Sequence, residues 1–271
     1  MQQPARGSPR AGTFAEVIMR GLMPVRFALV LSMALGAGSA FADTNAVPPG
    51  QPCSKNNGNP CNGNNGNLGS VGNAHGHARI SNGPLSIEMT MPSVAGRTAY
   101  VDQVGDSQVV TIVQEAPNAT ASVTQSGTHN EADVRQAGSG NAALTATQAG
   151  SGNFARLAQS GSGDNLLVLT QSGANNWAFA SQNATGVLFN GAKLSQSGND
   201  NDLSLAQNGS DNRAVLTQEG SGNGMTATQN GDGNRLMWAQ KGNNLADLNV
   251  VQSGGSVTLG QLSIIQTGAG H

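Results

Sequence analysis

Gln125-Ser126-Gly127-Thr128-His129-Asn130 is followed eleven residues on by Gln136-Ala137-Gly138-Ser139-Gly140-Asn141, and twelve beyond that by Gln148-Ala149-Gly150-Ser151-Gly152-Asn153. The phrase returns at Gln171-Ser172-Gly173-Ala174-Asn175-Asn176, Gln196-Ser197-Gly198-Asn199-Asp200-Asn201, Gln207-Asn208-Gly209-Ser210-Asp211-Asn212, Gln218-Glu219-Gly220-Ser221-Gly222-Asn223 and Gln229-Asn230-Gly231-Asp232-Gly233-Asn234. The unit is Gln-x-Gly-x-x-Asn-x-Ala/Leu-x-x-x, and then Gln again. Its glutamines stand at 103, 114, 125, 136, 148, 159, 171, 182, 196, 207, 218, 229, 240 and 252, mostly 11 apart, with 12 or 14 at a few places. A fixed short period of this kind marks a repeat architecture, in which each unit is one element stacked on its neighbours.

The stretch after each Gln is rich in Gly, Ser, Asn and Asp, which supply the positive φ angles and side-chain-to-backbone bonds of a tight turn. The seven residues from Asn to the next Gln are then a strand, whose alternate positions face opposite sides. With Asn as position 0, positions 2 and 4 hold Ala132 and Val134, Ala155 and Leu157, Leu167 and Leu169, Leu203 and Leu205, Ala214 and Leu216, and Leu236 and Trp238. Positions 1, 3 and 5 take the strand charges, Glu131, Asp133, Arg135, Arg156, Asp202, Arg213 and Arg235, which are expected to point outward.

The predicted fold is therefore all-β, a β-solenoid of stacked strand-turn-strand rungs with parallel, in-register neighbours. About fifteen strands, ending at Gln103 through Gln266, give seven to eight rungs and a stack roughly 35 Å long at the cross-β spacing. Two thin apolar faces meeting across a narrow interior need no bulky core. Buried amides are costly unless bonded, and an identical amide above and below satisfies donor and acceptor together. The candidate amide-ladder residues are Gln125, Asn130, Gln136, Asn141, Gln148, Asn153, Gln159, Asn165, Gln171, Asn176, Gln182, Gln196, Asn201, Gln207, Asn212, Gln218, Asn223, Gln229, Asn234 and Gln240. The turn glycines are Gly127, Gly138, Gly150, Gly161, Gly173, Gly198, Gly209, Gly220, Gly231 and Gly242.

Composition agrees with a thin interior, since aromatics make up 3% and charged residues 10% of the chain while Gly contributes 38 residues. Upstream of the repeats, the apolar run after Arg26, closing on Ala40-Phe41-Ala42, reads as a secretory signal peptide cleaved before Asp43, and it is too short to span a bilayer as a helix. The leader before it is long, so translation begins at either Met1 or Met23. The expected organisation is a leader and signal over 1–42, a flexible Gly/Asn/Pro-rich segment over 43–84, and the repeat solenoid over 85–271. Cys53 and Cys61 lie in the flexible segment, either as a small disulfide loop or as two free thiols. His75-Gly76-His77 lacks the further ligands that a metal site needs, so no metal and no cofactor is expected. The mature part is mildly acidic without a basic patch, which argues against nucleic acid. Leu85, Ile87, Met89 and Met91 alternate with polar residues and predict a strand with one covered face.

Departures from the unit are few. Gln114-Glu115-Ala116-Pro117 lacks the turn glycine, Gln108 stands where Asn is expected, and Asn183 to Phe189 predicts a bulged loop midway. Beside that loop Trp177 and Phe179 fall on the outward face, either as lateral contacts between fibres or buried by a local register shift.

The Gln-x-Gly-x-x-Asn-x-Ala-x-x-x-Gln unit resembles the curlin repeat of curli subunits from Gram-negative bacteria, over roughly residues 98–271, and the signal and Gly/Asn-rich leader resemble that family's layout. The resemblance implies a secreted, cell-surface amyloid fibre serving adhesion and the biofilm matrix. It also implies as partners the chain itself, other curlin subunits and an outer-membrane export channel that recognises the leader. Major and nucleating subunits share the repeat, and the subunit type stays open. Unpaired strand edges on the first and last rungs predict end-to-end polymerisation, with no polar cap in Gln266-Thr267-Gly268-Ala269-Gly270-His271. No small-molecule substrate is expected: acidic residues scatter over turns and outward positions, and His129 and His271 are the only histidines in the repeats, so nothing gathers as a catalytic set. The nine-residue Gly-Gly-x-Gly-x-Asp period of calcium-binding repeats is absent. The remaining rival is a β-solenoid adhesin that does not polymerise.

Overall fold

The computed structural model describes residues 67–73, 76–83, 85–254 and 261–268, all within the unit Cys53–His271. The signal-peptide reading over 26–42, the alternative starts, Cys53, Cys61 and His75 lie outside the described residues.

Two short strands come first, β1 (Asn67–Asn73) and β2 (Gly76–Ser81). The repeats then alternate between two sheets. One holds β3 (Arg97–Asp106), β5 (Ala119–Thr128), β7 (Ala142–Ser151), β9 (Asn165–Ala174), β11 (Asn190–Asn199), β13 (Arg213–Glu219), β15 (Arg235–Lys241) and β17 (Gln261–Thr267). The other holds β4 (Val109–Gln114), β6 (Glu131–Gln136), β8 (Phe154–Gly161), β10 (Trp177–Ala184), β12 (Asp202–Gly209), β14 (Gly224–Gly231) and β16 (Val250–Gly254). Each odd strand with the even strand after it makes one turn of a solenoid, about seven turns in all, with β17 beginning another.

Pairing between successive turns is parallel and sets each Gln beside the next, so that Gln125 lies between Gln103 and Gln148, and Gln182 between Gln159 and Gln207. This register is the one that keeps the inward apolar row inside, because a slip of one residue would turn that whole row to solvent. The inward residues of both sheets form a single thin core running the length of the stack, from Ala121 and Val123 through Leu157, Leu169 and Leu205 to Trp238 and Ile264. Trp238 is wholly buried, and its indole N–H donates to Gln266 Oε1 at 2.7 Å. That bond satisfies the one polar atom of the largest core side chain.

The strands run further than the seven residues from Asn to Gln. Those of the first sheet mostly continue through the turn glycine, which adopts φ near +110° inside the ladder, as at Gly127 and Gly173. The sharp corner falls on the residue just before the inward Asn. His129, Asn175, Asp200 and Asp211 are left-handed there, as is Asn244 before Leu245, which takes the place of the Asn, and Gly152, Gly222 and Gly233 fill the same place elsewhere. Asn, Asp and Gly tolerate that conformation best, which accounts for the turn composition.

Two upstream segments depart from expectation. Residues 85–95, in which Leu85 to Met91 are expected to form a strand, are extended but join no ladder. Their alternation survives as burial, with Leu85, Ile87, Met89 and Met91 half-covered and the residues between them exposed. The backbone N–H of Leu85 donates to Gln261 Oε1 at 2.5 Å and that of Gly96 to Asn118 Oδ1 at 3.0 Å, so the segment lies along the stack from its last turn to its first. Eleven extended residues reach about 37 Å, enough for the seven spacings of roughly 4.8 Å between β3 and β17. The alternation thus reports a strap over the strand starts. The second departure lies within the segment expected to be a flexible arm: β2 pairs antiparallel with β17, and β1 pairs antiparallel with β2. An uncovered β17 would offer a row of unmet N–H and C=O groups, and β2 satisfies them.

Candidate self-assembly site

The glutamines form two continuous columns. In the first, Nε2 of Gln103, Gln125, Gln148, Gln171, Gln196, Gln218 and Gln240 donates to Oε1 of the next glutamine upward, at 2.6 to 3.0 Å, ending at Gln266. In the second, Gln114, Gln136, Gln159, Gln182, Gln207 and Gln229 do the same, ending at Gln252. The second amide hydrogen goes across the interior to a carbonyl of the facing strand, from Gln182 to Leu166 and from Gln196 to Trp177, for example. Both hydrogens and the oxygen are therefore used, and the amides tie the two sheets together as well as the turns. Every bond in a column points the same way, so the stack is polar. Its β3–β4 end presents amide oxygens, to which no donor is directed among the described residues, and at its far end Gln252 and Gln266 direct Nε2 to the carbonyls of Arg235 and Ala246.

Asparagines form a second pair of columns at the corners. Nδ2 of Asn153, Asn176 and Asn201 donates to Oδ1 of the asparagine one turn below, at 2.9 to 3.0 Å, and to the turn glycine carbonyl one turn above, Gly173, Gly198 and Gly220. Asn130 and Asn223 reach Gly150 and Gly242 likewise. Gln108 performs the same task in place of Asn, donating to Val104 O and Gly127 O. The opposite corner carries Asn190, Asn212 and Asn234. Asn190 was not among the predicted ladder residues, yet counting back six from Gln196 finds it.

Asn141 does not belong to a column. It stands one residue ahead, bonded to the Asp164 carboxylate through its backbone N–H at 2.8 Å and its Nδ2 at 3.2 Å, while Ala142 takes the inward place. The twelve-residue spacing before Gln148 puts the extra residue in the turn. Ala116, Ala119 and Ala142 pack together at that corner, which also explains how the turn after Gln114 manages without glycine. The column begins again imperfectly, since the loop before Asn190 sends that residue's N–H to Asp164 O and leaves Asn165 Oδ1 buried without a partner.

The loop also corrects the expectation for Arg213. Parity puts it outward, but the Phe189 ring lies over its guanidinium at 3.6 Å, Asp211 pairs with it at 3.1 Å, and the residue is only 8% exposed. Burial pushes its guanidinium below the ordinary value, an effect opposed by Asp211 and reinforced by Arg235. Arg235 pairs with the same Asp211 at 2.7 Å, and at the surface Arg135 pairs with Glu115 and Arg156 with Asp133 between turns. Trp177 and Phe179 remain in register and outward, where with Phe154 they form a cluster with ring centroids 5.1 to 6.1 Å apart.

Asp202 is exposed by area, yet the neighbouring strands exclude enough water from its carboxyl to raise its pKa above 3.8, and the Asp247 carboxylate raises it further. A raised folded value means that the folded chain holds the proton more tightly, so stability is gained as pH falls through that value towards 3.8 and is absent above it. Asp202→Asn is expected to flatten this part of the profile, read as a smaller difference between urea midpoints at pH 4 and pH 7.

Among the described residues no group of three or more His, Cys, Asp or Glu could hold a metal ion. The arrangement offers backbone edges and amide columns instead. A model of the curlin associated repeat matches residues 116–144 and 198–231. No curated protein and no solved structure matches. The first match covers β5 and β6 with the start of β7, and the second covers β12 to β14, so each takes in consecutive turns of the solenoid and their inward amides. Two stretches of the chain are thus curlin associated repeats.

Proposed function

We propose that the protein is a structural subunit of an extracellular curli-type amyloid fibre on a Gram-negative cell, built by stacking one copy's turns on another's and serving adhesion and the biofilm matrix. The observation that carries this reading is the pair of polar glutamine columns, which end at β3 and β4 on an edge with unmet hydrogen-bonding groups. A copy placed there would extend both columns without changing their spacing or direction. Its partners are further copies of itself, other curlin subunits and an outer-membrane export channel. The repeat is compatible with a nucleating role as well. Amide columns and a thin aliphatic interior support a structural role.

A second reading, a solenoid adhesin that stays monomeric, is favoured by one observation, the pairing of β2 over the β17 edge. Incubation of the chain from Asp43 onward separates the two. The fibre reading expects amyloid-dye binding, unbranched filaments in electron micrographs, and diffraction at about 4.8 Å along the fibre and about 10 Å across it. A species that elutes as a folded monomer for weeks at high concentration would refute it.

A further inference from the structure

The two ends of the stack are not equivalent. At one end β3 is exposed along its whole length, and Tyr100, Val101, Val104 and Val109 are open to solvent. At the other end β17 is covered by β2, in register from Ser263 opposite Ser81 to Thr267 opposite His77. Ala78 is buried there and Ile80 packs against the core.

The cover also brings the amide column to a close. Ala78 lies opposite Gln266 and offers no amide. Gln266 therefore turns Nε2 to Ala246 O at 3.0 Å, while its Oε1 accepts from both Gln240 and Trp238. Above Leu85 the strap holds the hairpin's exit at Gln261.

We propose that the β1–β2 hairpin is a displaceable cap, occupying on β17 the surface that a second copy of this chain takes when it stacks. This rests on the fibre reading above. A junction in a polar stack joins one copy's β16–β17 end to another's β3–β4 end, so each addition requires one hairpin to leave. The exchange is downhill by count of partners: β2 matches β17 over five residue pairs without an amide, whereas β15 matches it over seven pairs with one. The incoming β4 or β3 carries Gln114 or Gln103 and would pair as β15 does. β16 ends its own sheet with no strand beyond it among the described residues, so it is the foothold from which an arriving copy displaces β2.

Arg79 and Ile265 are directly opposite each other on β2 and β17, and both are exposed, so cysteines there can be joined across the strands. The test uses the chain from Asp43 with Cys53→Ser, Cys61→Ser, Arg79→Cys and Ile265→Cys. The expected result is that the oxidised protein forms the bond as a monomer and extends preformed seeds at least ten-fold more slowly than the same protein after reduction. A variant lacking residues 67–83 is expected to shorten the lag. Extension of seeds at equal rates in both redox states, or failure of the two cysteines to join in the monomer, overturns the cap while leaving the fibre reading intact. If the parent, the reduced protein and the deletion all stay monomeric, the fibre reading fails and the cap with it.

Discussion

Gly173→Ala is expected to prevent the solenoid from closing around its fourth and fifth turns. Gly173 has φ of +107°, a conformation that strains any L side chain, and a Cβ there would overlap the carbonyl oxygen of Gly198 and stand 2.8 Å from its carbonyl carbon. Backbone strain of this kind costs on the order of 1–3 kcal/mol. The overlap is a separate cost, because the obstructing atom is main chain and can yield only if β9 and β11 part. Losing those ladder bonds, and the Asn176 bond to Gly198 O at 2.8 Å, takes the loss beyond about 4 kcal/mol, in the range where small domains unfold. Circular dichroism should show a chain with little β signal, while Gly83→Ala, whose Cβ would meet nothing within 4 Å, should leave the spectrum unchanged. A Gly173→Ala protein with the parent's spectrum and urea midpoint would show that the turns are not held this tightly.

Gln171→Glu is expected to have the next largest effect and, unlike the glycine change, to be reversed by acid. Gln171 accepts from Gln148 at 2.8 Å and gives its own hydrogens to Gln196 Oε1 at 2.8 Å, Phe154 O at 3.2 Å and Asn176 O at 3.1 Å. A carboxylate can keep the first bond. It has no hydrogen for the other three acceptors, and it would be a wholly buried charge with oxygens facing it, a loss of roughly 3–5 kcal/mol. Desolvation and those oxygens both favour the protonated form, so the pKa of the introduced group rises above the ordinary ~4.3 in the folded chain. Stability is then lost as pH rises through the folded value and is regained as pH falls towards ~4.3. Urea midpoints of parent and variant should differ widely at pH 7.5 and converge in part at pH 4. Equal midpoints at pH 7.5 would mean that the column carries little of the stability.

The parts of this structure legible in the sequence are those whose side chains repeat. Ala155 and Leu157 or Leu203 and Leu205 announce the inward face through parity, and the Gln spacing announces the register, because one wrong step would bury charges. Misreadings arise where the period slips. The spacing of twelve before Gln148 hid the displacement of Asn141, and the longer loop after Gln182 hid both Asn190 and the covering of Arg213 by Phe189. The hairpin was invisible for a different reason. β2 is held on β17 chiefly by main-chain bonds, which any sequence can make, and its surroundings are so rich in Gly and Asn that they read as solvated.

The strap over residues 85–95 has a consequence for the order of events when the chain folds. The bond from Leu85 to Gln261 joins residues 176 apart in sequence, while the amide bonds between neighbouring turns join residues only 22 to 26 apart. Closing the short loops costs less entropy than closing the long one, so the coil winds first and the lid is fastened last. A chain that emerges amino end first carries its lid into the open well before the seat for it exists. During that interval the β17 mouth of the coil stands open as the β3 mouth does throughout, and crowding of half-made neighbours is most dangerous then.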